Sequence, residues 1–299
     1  MLKWADFFKQ RNCFIFHFPI PSPCLKKIAL AVAFSPRMEA LIAEAKRLKT
    51  LFQSELLLIH VGDHSAALEE KLQAVCTRYQ IDPARTQIVW EKGKPVKKIL
   101  EVCERQGVDL LITGALKSES FFTYYTGSVA RKIIRKAKCA VLTLIEPSTE
   151  PRHFSRIVIN GTQQAQTPTV IASGLKLARL EPDPRIFIVN EIKMYGFQMA
   201  TAAEGGEQEA SQMRKKLVAE EIKYVQDILD GIDCQEQRIT IKVTSGKWAV
   251  ELAKFATESK ADLLVLGDEG NLGFIDRLFP HDLEDMLSNL PCNLLILKP

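Results

Sequence analysis

A chain of 299 residues with 46% hydrophobic and 25% charged residues has the composition of a soluble globular protein, and at roughly 100 to 200 residues per domain it predicts about two domains. Its net charge of +4 comes with no interleaved stacking aromatics or known nucleic-acid motif, so no nucleic-acid partner is expected. The seven cysteines are scattered and form no CxxC pair, so neither a disulfide framework nor a zinc site is suggested, and a reducing, cytoplasmic compartment is expected.

The N-terminal extension, residues 1–25, is the only candidate for a targeting or membrane segment. Its longest apolar stretch is interrupted by His17 and Pro19 and falls far short of the ~20 residues needed to cross a bilayer. We therefore expect an accessory extension and no membrane span. The alternative is a docking segment that uses its aromatic side chains, which are Trp4, Phe7, Phe8, Phe14 and Phe16.

After the extension, short β-branched apolar runs alternate with amphipathic stretches. In chain order the first copy of this pattern reads as strands in KIALAVAF, ELLLIHV, TQIVW, VDLLITG and CAVLTLI, and as helices in EALIAEAKRLKTLF, AALEEKLQAVCTRY, PVKKILEVCERQ and SVARKIIRKA. Five strands separated by helices imply right-handed crossovers and a parallel sheet covered on both faces. Ligands of such sheets bind beyond the carboxyl ends of the strands, where the strand order reverses.

The pattern occurs twice. The segment that begins GKPVKKILEVCERQGVDLLITG at Gly93 returns as GKWAVELAKFATESKADLLVLG at Gly246, 153 residues later, and the same offset relates Cys139 to Cys292. A constant register over about fifty residues indicates duplication. We therefore predict domains over residues 26–148 and 154–299, separated by the proline-containing PSTEPRH.

Upstream of that repeat, AVAFSP best matches VINGTQ at an offset of 127 residues, which pairs Ser35 with Thr162 and Ala33 with Asn160. The second copy is then expected to carry 26 extra residues. They fall in a Gly-containing loop followed by a long charged helix, with the insertion itself at about residues 191–216.

A loop in the first copy has the form of a phosphate site. The sequence GALKSESFFTYYTGS places Gly114 at the end of a predicted strand and Gly127-Ser128 at the start of a helix. Backbone N–H groups and the helix dipole converge on an anion in such loops. The helix that follows has five basic residues and no acid, namely Arg131, Lys132, Arg135, Lys136 and Lys138.

These segments resemble the universal stress protein family in its tandem two-domain form. The resemblance implies two flavodoxin-like, adenine nucleotide α-hydrolase-like domains that pair through their last strands. It also implies an ATP loop of the form G-x2-G-x9-G-[S/T] and an aspartate after the first strand. In the first copy Gly114, Gly127 and Ser128 fit that loop, whereas Lys117 replaces the second glycine and Ala33 the aspartate. Val61, at the end of ELLLIHV, is added to this first site.

The second copy has lost the other end of the loop. Gly267 and Gly270 occupy the first two glycine positions and Asn160 the aspartate position, but Pro280 and His281 replace the Gly-Ser pair. Proline cannot donate an N–H to a phosphate. The resemblance therefore predicts a degenerate second site.

The function that the resemblance implies is that of a bacterial, stress-response regulatory protein that binds ATP or a related adenine nucleotide, with the first domain as its site. The alternative is a nucleotide-independent interaction scaffold. No enzymatic signature is present, so at most weak ATP hydrolysis is expected. His60 and His64 are four residues apart, a spacing that suits a metal pair on a helix, but His60 ends a predicted strand, so no metal is expected beyond nucleotide-bound Mg²⁺. An intrachain pseudo-dimer is predicted, and a homodimer and an unidentified protein partner stay open.

Overall fold

The computed structural model describes residues 25–117, 124–125, 128–192, 207–234, 237–268 and 286–298. The predicted extension, residues 1–25, lies outside this range except for Leu25, and so does most of the predicted insertion. No described helix has the length and apolarity that crossing a membrane requires.

The strands alternate with the helices along the chain, as the apolar patterns predict. The strands are β1 (Lys27–Val32), β2 (Glu55–Val61), β3 (Thr86–Glu91), β4 (Leu110–Gly114), β5 (Leu116–Lys117), β6 (Tyr124–Tyr125), β7 (Ala140–Leu144), β8 (Arg156–Asn160), β9 (Arg185–Ile192), β10 (Arg238–Ser245), β11 (Leu263–Gly267) and β12 (Asn293–Leu297). The helices are α1 (Met38–Phe52), α2 (Ala66–Arg78), α3 (Pro95–Gln106), α4 (Ser128–Lys136), α5 (Thr167–Arg179), α6 (Glu207–Leu229) and α7 (Trp248–Glu258), with a 3₁₀ turn at Pro83–Arg85.

Local sequence explains where several helices begin and end. Pro95 opens α3 at a position where a helix needs no N–H donor, and Gly107 closes the same helix in the left-handed conformation. The side chain of Ser65 caps α2 by accepting a hydrogen bond from the N–H of Leu68. These signals are readable from sequence, and they fix the helices close to the predicted limits.

Ten strands form one sheet in the order β10-β9-β8-β11-β12-β7-β4-β1-β2-β3. The order 3-2-1-4-5 of the first half, which we define as β1 to β7, is repeated in the second half, β8 to β12. All ladders within each half are parallel, and the halves meet where β12 runs antiparallel to β7 with Leu295 opposite Leu142. The expected pairing of the two last strands is therefore present in this chain.

Apolar side chains cover both faces of the sheet. One buried cluster includes Ile42 of α1, Leu72 of α2, Leu175 of α5 and Val225 of α6, and the other includes Ile99, Ile133 and Leu252 of α3, α4 and α7. Both clusters run through the two halves. The predicted fold class, two flavodoxin-like domains with helices on both faces of each parallel sheet, is confirmed.

The strand register corrects the predicted alignment of the two copies. Ile28 of β1 lies opposite Leu110 and Ile157 of β8 lies opposite Leu263, so the first strands are offset by 129 residues rather than 127. Ala33 therefore corresponds to Thr162, and Asn160 corresponds to Ala31. The second half carries 24 extra residues instead of 26, and the β2/β9 and β3/β10 ladders place 23 of them between β9 and β10.

Candidate functional site

The strand order reverses between β1 and β4 in the first half, and this switch point defines the candidate site. Ala33 follows β1 directly and is exposed, and Gly114 is the last residue of β4. The two sequence-predicted positions thus lie on opposite sides of one crevice at the carboxyl edge of the sheet, where parallel sheets bind their ligands. Val61 ends β2, the strand on the far side of β1.

Arg37 brings a cation to this crevice from the start of α1. Its guanidinium donates one hydrogen bond to the carbonyl oxygen of Ala115 at 2.5 Å and a second to the carbonyl oxygen of Ile145. These carbonyls follow the ends of β4 and β7, so the charge lies directly beyond the strands. The sequence reasoning missed Arg37, because the carbonyl groups that it contacts are far from it in the chain.

The phosphate end of the site is described in part. Helix α4 begins at Ser128, which is exposed, and its nine residues include four basic side chains and no acidic one. The backbone of Lys117 pairs with that of Tyr124 in the β5–β6 hairpin. Gly127 lies outside the described residues, so the predicted arrangement of Gly114, Gly127 and Ser128 as one cradle stays a prediction.

Gly114 has a packing role whether or not it approaches a ligand. A Cβ atom at this position would lie 3.2 Å from Cδ1 of Leu41, a side chain of α1. Only a small residue lets α1 pack this closely on the end of β4. The glycine itself is therefore not specific evidence for a phosphate.

Aromatic rings line the neighbouring part of the same edge. The His60 ring is 4.8 Å from the Phe34 ring and 5.1 Å from the Trp90 ring, both nearly perpendicular, and its Nδ1 lies 3.0 Å from the carbonyl oxygen of Val32. His64 packs against Trp90 at 4.6 Å and pairs with Glu69. His60 thus has aromatic and backbone partners, and His64 has an aromatic and a carboxylate partner. We call the four rings of Phe34, His60, His64 and Trp90 the aromatic edge.

The equivalent crevice of the second half is filled by polar side chains from the chain itself. The amide oxygen of Asn160 accepts hydrogen bonds from the N–H and hydroxyl of Thr162, at 3.2 and 2.8 Å, and from the indole N–H of Trp248 at 3.3 Å. Asn160 is only 5% exposed. An interaction of this amide oxygen with a bound nucleoside is not favoured, because three donors already converge on the oxygen.

Helix α6 lies between β9 and β10 in the chain, as α2 lies between β2 and β3, and it contributes Glu221 to the same group of polar side chains. Asn190 stands at the position of His60 in the first half, and its amide donates to Oε2 of Glu221 at 2.7 Å. The amide of Gln163 donates to the same carboxylate oxygen at 3.0 Å. Burial raises the pKa of Tyr224, which lies one turn along from Glu221 and hydrogen-bonds Thr167. We call Asn160, Thr162, Gln163, Asn190 and Glu221 the second-half network.

The end of β11, which corresponds to the end of β4 in the first half, is also occupied by contacts with other parts of the protein. A Cβ atom on Gly267 would lie 2.5 Å from Cγ2 of Val170, so α5 packs against this glycine more tightly than α1 packs against Gly114. Asp268 is 4% exposed and forms an ion pair with Lys298, whose Nζ also donates to the carbonyl oxygen of Ile134 at 2.6 Å. Gly270, Pro280 and His281 lie outside the described residues.

The basic helix α4 reaches across to the second half. Arg131 donates to the hydroxyl of Ser288 at 3.0 Å, and Lys298 of the second half contacts the α4 backbone at Ile134. Residues 1–148 carry a net charge of +9 and residues 149–299 a net charge of −5. Attraction between the halves therefore accounts for part of the positive charge of α4.

Comparison with known proteins gives the same architecture. The model of the universal stress protein family matches residues 62–144 and 155–298. Universal stress protein G of Shigella flexneri and of Escherichia coli O157:H7 are each 32% identical over 76 residues, which is 25% of this chain and 53% of theirs. The chain thus spans about half the length of the curated relatives it matches.

Two solved structures show similarity over almost the full length. A protein of unknown function from Pseudomonas aeruginosa PAO1 is 17% identical, with 92% of this chain and 93% of that chain covered and a TM-score of 0.65. A universal stress protein from Archaeoglobus fulgidus DSM 4304 is 11% identical, with 91% and 98% covered and a TM-score of 0.62. Together with the family model, which matches both halves, these observations show that the chain belongs to the universal stress protein family in a tandem form.

Proposed function

We propose that this universal stress protein is a regulatory protein that binds one adenine nucleotide, ATP or a related molecule, in the crevice of its first half. The observation that carries the proposal is the Arg37 guanidinium bound to the carbonyl oxygens of Ala115 and Ile145, just beyond the ends of β4 and β7. A parallel sheet binds its ligand at this point, and an arginine there suits a phosphate group.

The charge of the surrounding residues supports an anionic ligand. The N-terminus of α4 presents its unsatisfied N–H groups and the positive end of its dipole at Ser128. No acidic residue lies within α4 to oppose a phosphate. Lys117 would add a cation from the hairpin, and Mg²⁺ would enter only with the nucleotide.

The base and ribose would lie toward Ala33 and Val61. Ala33 offers no side-chain acceptor, so recognition there would depend on shape and on backbone groups. The aromatic edge begins next to Ala33 with Phe34, and its rings offer an apolar wall on that side of the crevice. We therefore expect modest discrimination among bases and a larger contribution from the phosphates.

A single site per chain follows from the contrast between the halves. Where the first half has Ala33 and His60, the second has Thr162 and Asn190, and both belong to the second-half network. A ligand there would have to displace hydrogen bonds that are already made inside the protein, at a cost of about 1–3 kcal/mol for each buried group left without a partner. We assign the nucleotide a regulatory role rather than that of a substrate.

Isothermal titration of the full chain with ATP, ADP and AMP tests the proposal. We expect one nucleotide per chain, and we expect Arg37→Gln to weaken binding by about 10- to 100-fold through loss of a charge-assisted contact. Gln166 is the equivalent residue before α5, so Gln166→Ala is the matched control and should bind as the unmodified protein does. Absence of binding at millimolar nucleotide would overturn the proposal in favour of an interaction scaffold, for which the exposed first turns of α6 offer a surface.

A further inference from the structure

Two cysteines meet at the amino-terminal edge of the first half, at the end of the sheet opposite the nucleotide crevice. Cys103 lies in the last turn of α3 and Cys139 lies immediately before β7. Both line one surface pocket of about 340 Å³, together with Leu100, Glu104, Gly107, Val108 and Lys138. The fold therefore brings together two thiols that are 36 positions apart in the sequence, and it leaves them facing an open cavity.

The two thiols differ in exposure. Cys103 is 4% exposed, whereas Cys139 is half-buried. Their side chains lie within hydrogen-bonding reach of one another. A disulfide needs a sulfur–sulfur distance of about 2.05 Å, and two thiols that line the same pocket can approach one another to form one.

The surroundings favour the thiolate form at Cys139. The hydrogen bond from Cys103 holds the pKa of the Cys139 thiol below its ordinary value, and the charge of Lys298 acts in the same direction. The same hydrogen bond, together with burial, raises the pKa of the Cys103 thiol. A lowered pKa and partial exposure are the conditions under which a cysteine reacts with oxidants, because the thiolate is the nucleophile.

The second half provides a natural comparison within the chain. At the offset of 153 residues Cys292 stands at the position of Cys139, and Ala256 stands at the position of Cys103. Cys292 is 3% exposed, and burial raises its pKa to about 12. The first half thus combines a half-buried thiol with a second thiol. At the equivalent positions the second half has a fully buried thiol and an alanine.

We propose that Cys103 and Cys139 form a peroxide-reactive dithiol site, in which Cys139 is oxidised first and Cys103 resolves the product to an intramolecular disulfide. In the first step the Cys139 thiolate attacks a hydroperoxide oxygen. A sulfur–oxygen bond forms, the oxygen–oxygen bond breaks, and the leaving oxygen takes up a proton to depart as water or an alcohol.

In the second step the sulfur of Cys103 attacks the sulfenic sulfur of Cys139. The sulfur–sulfur bond forms as the sulfur–oxygen bond breaks, and the proton of Cys103 leaves with the hydroxide as water. The two thiols together lose two electrons, which reduce one hydroperoxide. A thiol reductant returns the pair to its starting state by exchange through a mixed disulfide.

Peptide mass spectrometry of the full chain after brief exposure to hydrogen peroxide tests the site. We expect a disulfide between the peptides that contain Cys103 and Cys139, and its loss on treatment with dithiothreitol. In the Cys103→Ser variant we expect a sulfenic acid on Cys139 that dimedone traps. Cys292→Ser is the matched control and should form the same disulfide as the unmodified protein.

The rate at which iodoacetamide alkylates Cys139 tests the reactivity of this thiol without requiring that a disulfide form. At pH 7 we expect Cys139 to react with iodoacetamide at least about tenfold faster than Cys76, a half-buried thiol whose pKa is raised by burial. Equal rates at these two cysteines, or peroxide treatment that leaves Cys103 and Cys139 unlinked while Cys139 in Cys103→Ser stays untrapped, would overturn the proposal.

Discussion

A glycine at the end of a strand can be required by a bound ligand or by the close packing of a helix, and the sequence does not distinguish these two reasons. From the sequence, Gly114 and Gly267 look alike, because each ends a buried strand in the same repeat. The structure gives each a steric reason that involves no ligand, namely the approach of α1 or α5. The pattern of glycines therefore predicts the fold more reliably than it predicts a phosphate site.

At Gly267 this difference can be measured. A Cβ atom there would lie 2.5 Å from Cγ2 of Val170, a branched side chain near the start of α5, so we expect Gly267→Ala to destabilise the protein by about 1–3 kcal/mol. At Gly114 the contact is 3.2 Å to the end of the flexible Leu41 side chain, so Gly114→Ala should cost less than about 1 kcal/mol. Urea denaturation of both variants checks the order, and equal losses would show that the helix spacing is not what selects glycine at position 267.

The residues that define the chemistry of the first crevice were only partly predictable. Four of these residues could be placed because they lie at the ends of strands and helices whose patterns depend only on neighbouring residues. They are Ala33, Val61, Gly114 and Ser128. Arg37 could not be assigned a role from sequence, because its partners are carbonyl oxygens 78 and 108 positions away. Cys103 and Cys139 look unrelated in the sequence for the same reason, since only the fold brings them to one pocket.

The helices and strands of this protein could be predicted from the sequence more accurately than the alignment of its two halves. The helices of the first half and its five strands in the large sheet lie within one or two residues of the runs that predict them, since periodicity and capping are properties of neighbouring residues. The short β5–β6 hairpin was not predicted. The alignment of β1 with β8 was wrong by two positions. The strand register is set by the hydrogen bonds of β1 with β4 and of β8 with β11. The short match between AVAFSP and VINGTQ carries no information about those hydrogen bonds.

Helix α6 is the element in which the two halves differ most. The long charged helix was predicted, but its role in filling the second crevice through Glu221 was not. That carboxylate accepts from the buried amide of Asn190 and from Gln163, so we expect Glu221→Ala to leave unpaired donors and to cost about 1–3 kcal/mol.

The neighbouring Glu220 supplies the control for this prediction. It is exposed on the same helix, and Glu220→Ala should change the free energy of unfolding by no more than about 0.5 kcal/mol. Urea denaturation followed by circular dichroism measures both variants. If Glu221→Ala were as mild as Glu220→Ala, the second-half network would contribute little, and the argument for a single nucleotide site would lose its main support.

The two halves are joined where β7 and β12 pair, so that their strands form one continuous sheet. We call this junction the seam. Polar contacts surround this seam as well as apolar ones. The side chain of Asn293 accepts from the N–H of Ile145 at 2.9 Å, and a charged cluster lies where α1 meets the end of α5. In that cluster Arg47 donates to Glu181 at 2.8 Å and lies 4.5 Å from the centre of the Phe154 ring.

Burial makes this cluster sensitive to the loss of one member. The Glu181 side chain has no exposed surface, and burial also raises the pKa of Glu44, the second carboxylate near Arg47. A charge left behind in such a place costs more than the pair contributes when intact. We therefore expect Arg47→Ala to destabilise the protein by about 3–5 kcal/mol, because the buried Glu181 carboxylate would lose its guanidinium partner.

The ion pair between Arg78 and Glu39 is the matched control, since it joins the same two residue types at 2.7 Å and the arginine side chain is 63% exposed. Arg78→Ala should cost no more than about 1 kcal/mol. Denaturation of the two variants at pH 7 compares them directly, and limited proteolysis between the halves reports whether Arg47→Ala loosens the seam. A loss at Arg47 as small as that at Arg78 would mean that strand pairing and apolar packing alone hold the two halves together.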